Sequence, residues 1–185
     1  KAHILNAQTK KRAYIVGRKH YDIDNELFSL MLDERMNYSC GYWRNAKNLE
    51  QAQINKLDLV CRKLHLKPGM SVLEIGCGWG GFAKYAAENY GVSVHGISIS
   101  KEQVKYAEAS CKGLNTSFEF KDYRELNTEY DSIVSIGMFE HVGYKNYKEY
   151  MEVANRCLKD DGLFLLHTIG RNTSGQATDP WINKY

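Results

Sequence analysis

The chain from Pro68 onward predicts an α/β fold, a mostly parallel sheet with helices on both faces, on three observations. Short β-rich runs alternate with helical patterns; the run from Ile133 to Phe139 is almost continuously apolar, as a buried strand is; and Gly76, Gly78, Gly80 and Gly81 follow the first run directly. In such sheets ligands bind in the crevice at the carboxyl ends of the strands, so chemistry is sought there.

Ahead of Pro68, apolar residues at Leu49, Ala52, Ile54, Leu57, Val60, Cys61 and Leu64 recur with a roughly helical period and predict an amphipathic helix over 48–66, ended by "KPG". "SVLEIGCG" then reads as a strand and "GGFAKYAAENYG" as a helix closed by Gly91. "VSVHGISI" is the next strand. "SKEQVKYAEASCKG" is a helix whose Ser100 and Gln103 have the spacing of a capping box. "TSFEFKD", "DSIVSIGMF" and "LFLLHTIG" supply three more strands, with "NYKEYMEVANRCLKDDG" as the helix before the last.

A chain of 185 residues, 43% of them hydrophobic, is long enough for one domain with a real core and too short for two of ordinary size. Within it, residues 1–67 read as a helical segment carrying the loop "YSCGYW", and 68–185 as the sheet-bearing core. Lys and Arg number 25 against 22 Asp and Glu, which gives no reason to expect a nucleic-acid partner. Lys10, Lys11, Arg12, Arg18 and Lys19 cluster ahead of Asp22, either as a solvated face or as a patch that meets an anionic partner such as a membrane surface. Cys40, Cys61, Cys77, Cys111 and Cys157 are odd in number and form no C-x-x-C pair, which fits reduced thiols in a cytoplasmic compartment better than zinc or disulfides. No signal peptide is visible, and no apolar stretch approaches the roughly 18 to 20 residues of a membrane span.

"LEIGCGWGG" places a tight glycine turn after the first strand of the repeating unit, where backbone amides can approach a ligand closely. Gly76, Gly78 and Gly81 also match the dinucleotide spacing G-x-G-x-x-G, so spacing alone leaves NAD open. Glu74 ahead of the first glycine and the bulk of Trp79, where a pyrophosphate would sit, favour S-adenosylmethionine. The second strand ends without an acid for ribose hydroxyls. Ser98, Ser100 and Gln103 are the polar groups there, and Gln103 either meets a ribose or only closes the capping box. Asp122 and Tyr123, after the third strand, are placed to meet an adenine amine and ring face.

"LEIGCGWG" resembles the first motif of class I S-adenosylmethionine-dependent methyltransferases, whose Rossmann-like sheet is the fold expected here. With "MNYSCGYW", "FEHVG" and "LLHTIG" added, the chain resembles the cyclopropane-fatty-acyl-phospholipid synthases and the related mycolic acid cyclopropane synthases. The likeness runs from "HYDIDNELFSLMLDERMNYSCGYW" through "LKPGMSVLEIGCGWGG", "GISISKEQ" and "SIGMFEHVG" to "DPWINKY". It implies methyl transfer from S-adenosylmethionine to a cis double bond of an unsaturated phospholipid acyl chain, followed by removal of a proton to close a three-membered ring. Such chemistry needs a dry site, electron-rich around a carbocation and equipped with a base.

The resemblance implies that the base is bicarbonate, held by Glu140 and by groups at Cys40, His167 and Ile169, with Glu140 as its hydrogen-bonding orienter. It implies cofactor contacts at Tyr38, Ser39, Glu74, Gly76, Cys77, Gly78, Gly80, Ser98, Ile99, Gln103, Asp122 and Tyr123. Cys40 also reads as a small core residue, or as a covalent nucleophile that methyl transfer does not need. His141 also reads as a capping or core histidine, and His167 acts mainly through its backbone. Tyr42, Trp43, Phe139 and Tyr147 either stabilise cations or simply pack. The expected setting is cytoplasmic, peripheral to the inner membrane face, with phospholipid as partner and a homodimer as the assembly.

Both ends read as cut. The family's tyrosine ligand to bicarbonate, the helices roofing its acyl channel and its last two strands would lie past Tyr185, so the fold is expected to be truncated at its carboxyl end and turnover weak. Two other readings remain: a methyltransferase acting on a lipid or small amine without ring closure, and a binding module without catalysis.

Overall fold

The computed structural model describes residues 6, 8–10, 25–170 and 172; the basic run from Lys11 to Lys19 and the closing "DPWINKY" lie outside the described residues. The elements in order are α1 (Asn25–Met31), α2 (Leu49–Lys63), β1 (Ser71–Ile75), α3 (Gly81–Tyr90), β2 (Ser93–Ser98), α4 (Lys101–Ser110), β3 (Thr116–Phe120), β4 (Tyr130–Ile136), α5 (Tyr147–Arg156) and β5 (Leu158–His167). Single 3-10 turns at Tyr123–Glu125, Phe139–His141 and Tyr144–Asn146 occupy the connections.

All five strands pair in parallel, in the order β3-β2-β1-β4-β5. The chain moves outward from β1 to β3 and then returns to β1's other side with β4. That reversal opens the crevice between the carboxyl ends of β1 and β4.

Side chains alternate across β1, and each face has its own core. Val72 joins Leu57, Val60 and Cys61 of α2 and its capping residue Leu64 with Phe82, Ala83 and Ala86 of α3. Leu73 and Ile75 face the other way, onto Tyr150 and Val153 of α5, Tyr123 and Leu126. A smaller cluster of Phe28, Met36 and Trp79 seats α1 against the glycine loop, where the Trp79 indole donates to Asn25 Oδ1 at 2.8 Å.

Two expectations need correction. In α2, capped by Asn48, whose side chain accepts from Gln51 N–H, the buried stripe is Ala52, Gln53, Lys56, Leu57, Val60 and Cys61. Leu49 and Ile54 fall off it and are 36% exposed, so two polar residues take places the apolar pattern did not assign. The helix expected through "LKDDG" stops at Arg156, because the Cys157 carbonyl is taken by Tyr130 N–H at 2.9 Å and Leu158 pairs with Tyr130. The residues between Leu158 and Leu163 form a bulge, with Asp161 in the left-handed region at φ 63°.

The amino end of the sheet is held by one carboxylate. Asp131 Oδ2 accepts from both the amide and the hydroxyl of Ser71 at 2.7 Å, and Oδ1 from Lys159 Nζ at 2.8 Å, joining β1, β4 and β5. Lys159, then the Ser71 amide and hydroxyl, hold the Asp131 carboxyl down to about 2. Replacing Asp131 with Ala is expected to cost about 1–3 kcal/mol in urea unfolding at neutral pH. Because the folded carboxyl lies below its ordinary 3.8, its contribution is present above that value and is lost as pH falls through about 2. The difference between the two proteins should therefore shrink in acid.

Candidate functional site

Four of the sequence-assigned cofactor residues, Glu74, Gly76, Cys77 and Gly78, line one cavity at the carboxyl edge of β1. The amides of Gly76 and Cys77 both donate to Ile97 O, at 3.0 and 2.9 Å, which fixes the loop against β2. Gly76 lies at φ 85°, and a Cβ there would meet Met138 at 2.7 Å, so only glycine fits where the β1 loop meets the turn after β4. Gly80 stands apart from the cavity: it caps α3 and abuts Ala107 of α4.

Glu74 shares a face with Val72 and is 3% exposed beneath α2 and α3. Burial pushes its carboxyl well above the ordinary range, against the pull of the Lys56 charge and the Ala83 amide. Among the described residues its Oε2 has no hydrogen-bond partner. A buried acceptor left open in a cavity wall suits a ligand that brings a donor.

Tyr38 and Ser39 line the same cavity, on a loop held by its own Asp33 and by α2. Asp33, 2% exposed, accepts from the amide and side chain of Asn37 at 2.7 Å each. From α2, Gln53 Nε2 donates to Ser39 O at 2.8 Å, and Lys56 Nζ donates to Ser39 Oγ at 2.9 Å and Asn37 Oδ1 at 3.4 Å. Burial brings the Lys56 ammonium down to about 8, although Asp33, Cys40 and Glu74 pull the other way. A Cβ on Gly81 would lie 2.5 Å from Arg35 O, so the start of α3 admits this loop only because it is glycine. Lys56, Gln53 and Asp33 were missed in the sequence. The available signal was that the first two fall one helical turn apart on α2's buried stripe.

Ser98, Ile99 and Gln103 line the cavity from the end of β2. Ser100 caps α4 by accepting from Gln103 N–H at 3.2 Å, but the Gln103 side chain accepts from Ser98 Oγ at 2.8 Å. Ser98 Oγ also accepts the Ser100 amide, so Ser98 supplies the half of the capping box expected from Gln103. Asp122 and Tyr123 line it as well, though both are partly engaged elsewhere. Arg124 Nη1 donates to Asp122 at 2.9 and 3.1 Å, and its guanidinium lies 4.6 Å from the Tyr123 ring centroid. Burial, opposed by Arg124, raises the Tyr123 phenol to about 12.

Glu140, Cys40, His167 and Ile169 form a second group. None lines the cavity, but Met138, His141 and Val142 of the turn that carries Glu140 do. Ile169 N–H donates to Glu140 Oε1 at 2.7 Å, and Cys40 Sγ stands 3.7 Å from His167 Nε2. Burial acts to raise the Glu140 carboxyl, but the Ile169 amide, its own amide, the Thr168 hydroxyl and His141 outweigh it, leaving it below the ordinary range. Burial, then Lys56, lowers the His167 imidazole, whose Nδ1 has no partner among the described residues. The His167 carbonyl accepts from Gly137 N–H at 3.0 Å, so its backbone already serves the sheet. Cys40 is exposed, which removes its reading as a core residue. Phe139 and Tyr147 stack on each other at 4.2 Å, while Tyr42 and Trp43 are solvent-facing and outside the cavity.

The arrangement fits an elongated ligand with a polar amino-acid end and a flat heterocycle: open acceptor and donors near Glu74 and Ser39, aromatic wall near Tyr123. Gly76→Ala is expected to lose about 1–3 kcal/mol of stability in denaturant unfolding, through left-handed strain and displacement of Met138. Binding of S-adenosylhomocysteine, measured by calorimetry, should weaken in parallel.

Comparison with known proteins bears on the family and the fold. Residues 8–185 match the family model described as mycolic acid cyclopropane synthetase. The chain is 59% identical over 184 residues to the cyclopropane-fatty-acyl-phospholipid synthase of Escherichia coli K12, covering 100% of this chain and 48% of that one. It thus spans about half the length of the curated relatives it matches. The cyclopropane synthase MmaA2 from Mycobacterium tuberculosis aligns with a TM-score of 0.85 at 35% identity, over 92% of this chain and 64% of that one. Mycolic acid cyclopropane synthase CmaA1, complexed with SAH and CTAB, aligns at 0.79 and 37% identity, over 83% and 55%. The sheet is that of a class I S-adenosylmethionine-dependent methyltransferase, and the chain belongs to the mycolic acid cyclopropane synthetase family.

Proposed function

We propose that the protein is an enzyme that carries out S-adenosylmethionine-dependent cyclopropanation of the cis double bonds of unsaturated phospholipid acyl chains. The observation that carries this reading is the turn Met138–Val142. Three of its residues line the glycine-loop cavity while its Glu140 is bonded to the Ile169 amide at the end of β5, so a methyl donor's pocket and a carboxylate edge are contiguous.

S-adenosylmethionine, when bound, supplies an electrophilic methyl group. Tyr38, Ser39, Glu74 and the Gly76–Gly78 loop would hold its amino-acid end, and Ser98, Ile99, Gln103, Asp122 and Tyr123 its nucleoside end. Glu140, with its carboxyl below the ordinary range, is ionised at neutral pH and suited to accept a hydrogen bond from the hydroxyl of a bicarbonate base. Ile169 N–H is already given to Glu140, so bicarbonate would meet both groups only by sharing or replacing that hydrogen bond. The exposed Leu27, Leu30 and Met31 of α1, 56%, 83% and 52% accessible, support a lipid surface as partner. Among the described residues no helix is long and apolar enough to cross a membrane. Cysteines free of disulfide bonds support a reducing, cytoplasmic setting.

The test supplies S-adenosylmethionine deuterated throughout its methyl group with vesicles of cis-unsaturated phospholipid, and reads the acyl products by mass spectrometry. Loss of the alkene together with one methyl deuterium is the expected result. Retention of the whole labelled methyl would make the protein a methyltransferase that does not close a ring. Glu140→Gln is expected to keep S-adenosylhomocysteine binding within about threefold and to lower ring formation by roughly 100-fold or more. Undiminished ring formation in that variant would remove Glu140 from the chemistry.

A further inference from the structure

Lys56 is 4% exposed, and among the described residues no carboxylate stands within ion-pair distance of its ammonium. Taking a cation out of water is costly unless opposite charge or hydrogen bonds compensate it. Among the described residues its acceptors are Ser39 Oγ at 2.9 Å and Asn37 Oδ1 at 3.4 Å, two for an ammonium that carries three donors. Asp33 and Glu74 act on it only through their fields.

The contact with Ser39 dictates what that residue can offer. Lys56 donates to its hydroxyl oxygen and Gln53 occupies its carbonyl, so the hydroxyl hydrogen is directed away from Lys56 and is left to donate. Ser39, Lys56 and Glu74 all line the same cavity. One wall therefore presents a donor backed by a buried positive charge, and beside it stands Glu74 with an unpartnered buried oxygen. A donor backed by a cation selects a carboxylate, and an open carboxylate oxygen selects an ammonium. An α-amino acid group carries both.

We propose that Lys56 is a positioning residue of the cofactor pocket: it holds the Ser39 hydroxyl as a donor and biases that end of the cavity toward the carboxylate of an amino-acid-bearing ligand. The inference rests on reading the cavity as an S-adenosylmethionine site. It adds to that reading a residue, on a helix outside the sheet, that sets which end of the ligand the pocket recognises. Burial lowers the proton affinity of Lys56, and the fields of Asp33, Cys40 and Glu74 oppose it.

The test compares two probes by isothermal titration calorimetry: S-adenosylhomocysteine, which carries the amino-acid group, and 5′-methylthioadenosine, which lacks it. Lys56→Met is expected to weaken S-adenosylhomocysteine roughly 10- to 100-fold while leaving 5′-methylthioadenosine within about twofold. Thermal melting checks that the variant folds; Lys56→Gln, smaller in its change of polarity, serves for the same comparison if Lys56→Met does not. Equal weakening of both probes would mean a merely structural role and overturn the proposal, as would no weakening of either. If the wild-type chain bound neither probe, the cofactor reading itself would fall and this inference with it.

Discussion

A carboxylate lies inside the layer between a parallel sheet and the helices above it, and much of the site follows from keeping Glu74 there. Strand alternation puts Glu74 on the same face as Val72, so the packing that buries one buries the other. A charge in that position requires polar company in a layer otherwise filled by Leu57, Val60, Phe82 and Ala83. α2 brings Lys56, and α3 brings the amide of Ala83. The sheet's order reverses beside this point, so the polar pocket opens at its edge into the crevice rather than remaining a sealed defect.

From that pocket the architecture divides the labour between two groups of residues. The Asp33–Ser39 loop is held by its own Asp33–Asn37 hydrogen bonds and by α2, and the glycine turn is tied to β2 through Ile97 O. Opposite them, β4 and β5 run in register to Ile136 and His167, which places Glu140 and Ile169 on adjacent strand extensions where one amide can meet one carboxylate. Strand-end loops carry both groups, while the helices packed on the sheet fix their relative positions.

The sheet was legible because its signals are local: alternation of short apolar runs with helical periods, a glycine turn, and Gly91 ending a helix. The cavity-lining residues at the ends of β1, β2 and β3 were legible for the same reason, since the alternation locates those strand ends, whereas Tyr38 and Ser39 came only through the family resemblance. What escaped depends on partners far along the chain. Lys56 and Gln53 look like polar surface on a helical wheel scored only by hydropathy, and their burial is decided by Asn37, Ser39 and Glu74, which no window around α2 contains. Leu49 and Ile54 were assigned inward on apolarity alone. The end of α5 was misplaced because the "LKDDG" bulge is dictated by pairing with Tyr130, a tertiary event that helix propensity does not register. Gln103 shows the same limit at closer range: its spacing from Ser100 is right for a capping box, yet Ser98 lies nearer to fill the role.

The spread of the site along the chain also bears on how the molecule is made. Lys56 and Ser39 are 17 residues apart, so the loop and α2 close over a short span. Cys40 and His167 are separated by 127, and their meeting waits on β5 entering the sheet beside β4. Closing longer loops costs more entropy, and non-local parallel pairing is slow relative to local contacts. The nascent chain can therefore close the Ser39 loop onto α2 well before Cys40 meets His167. The two contacts thus arise at separate stages of synthesis, with the strand order setting their sequence.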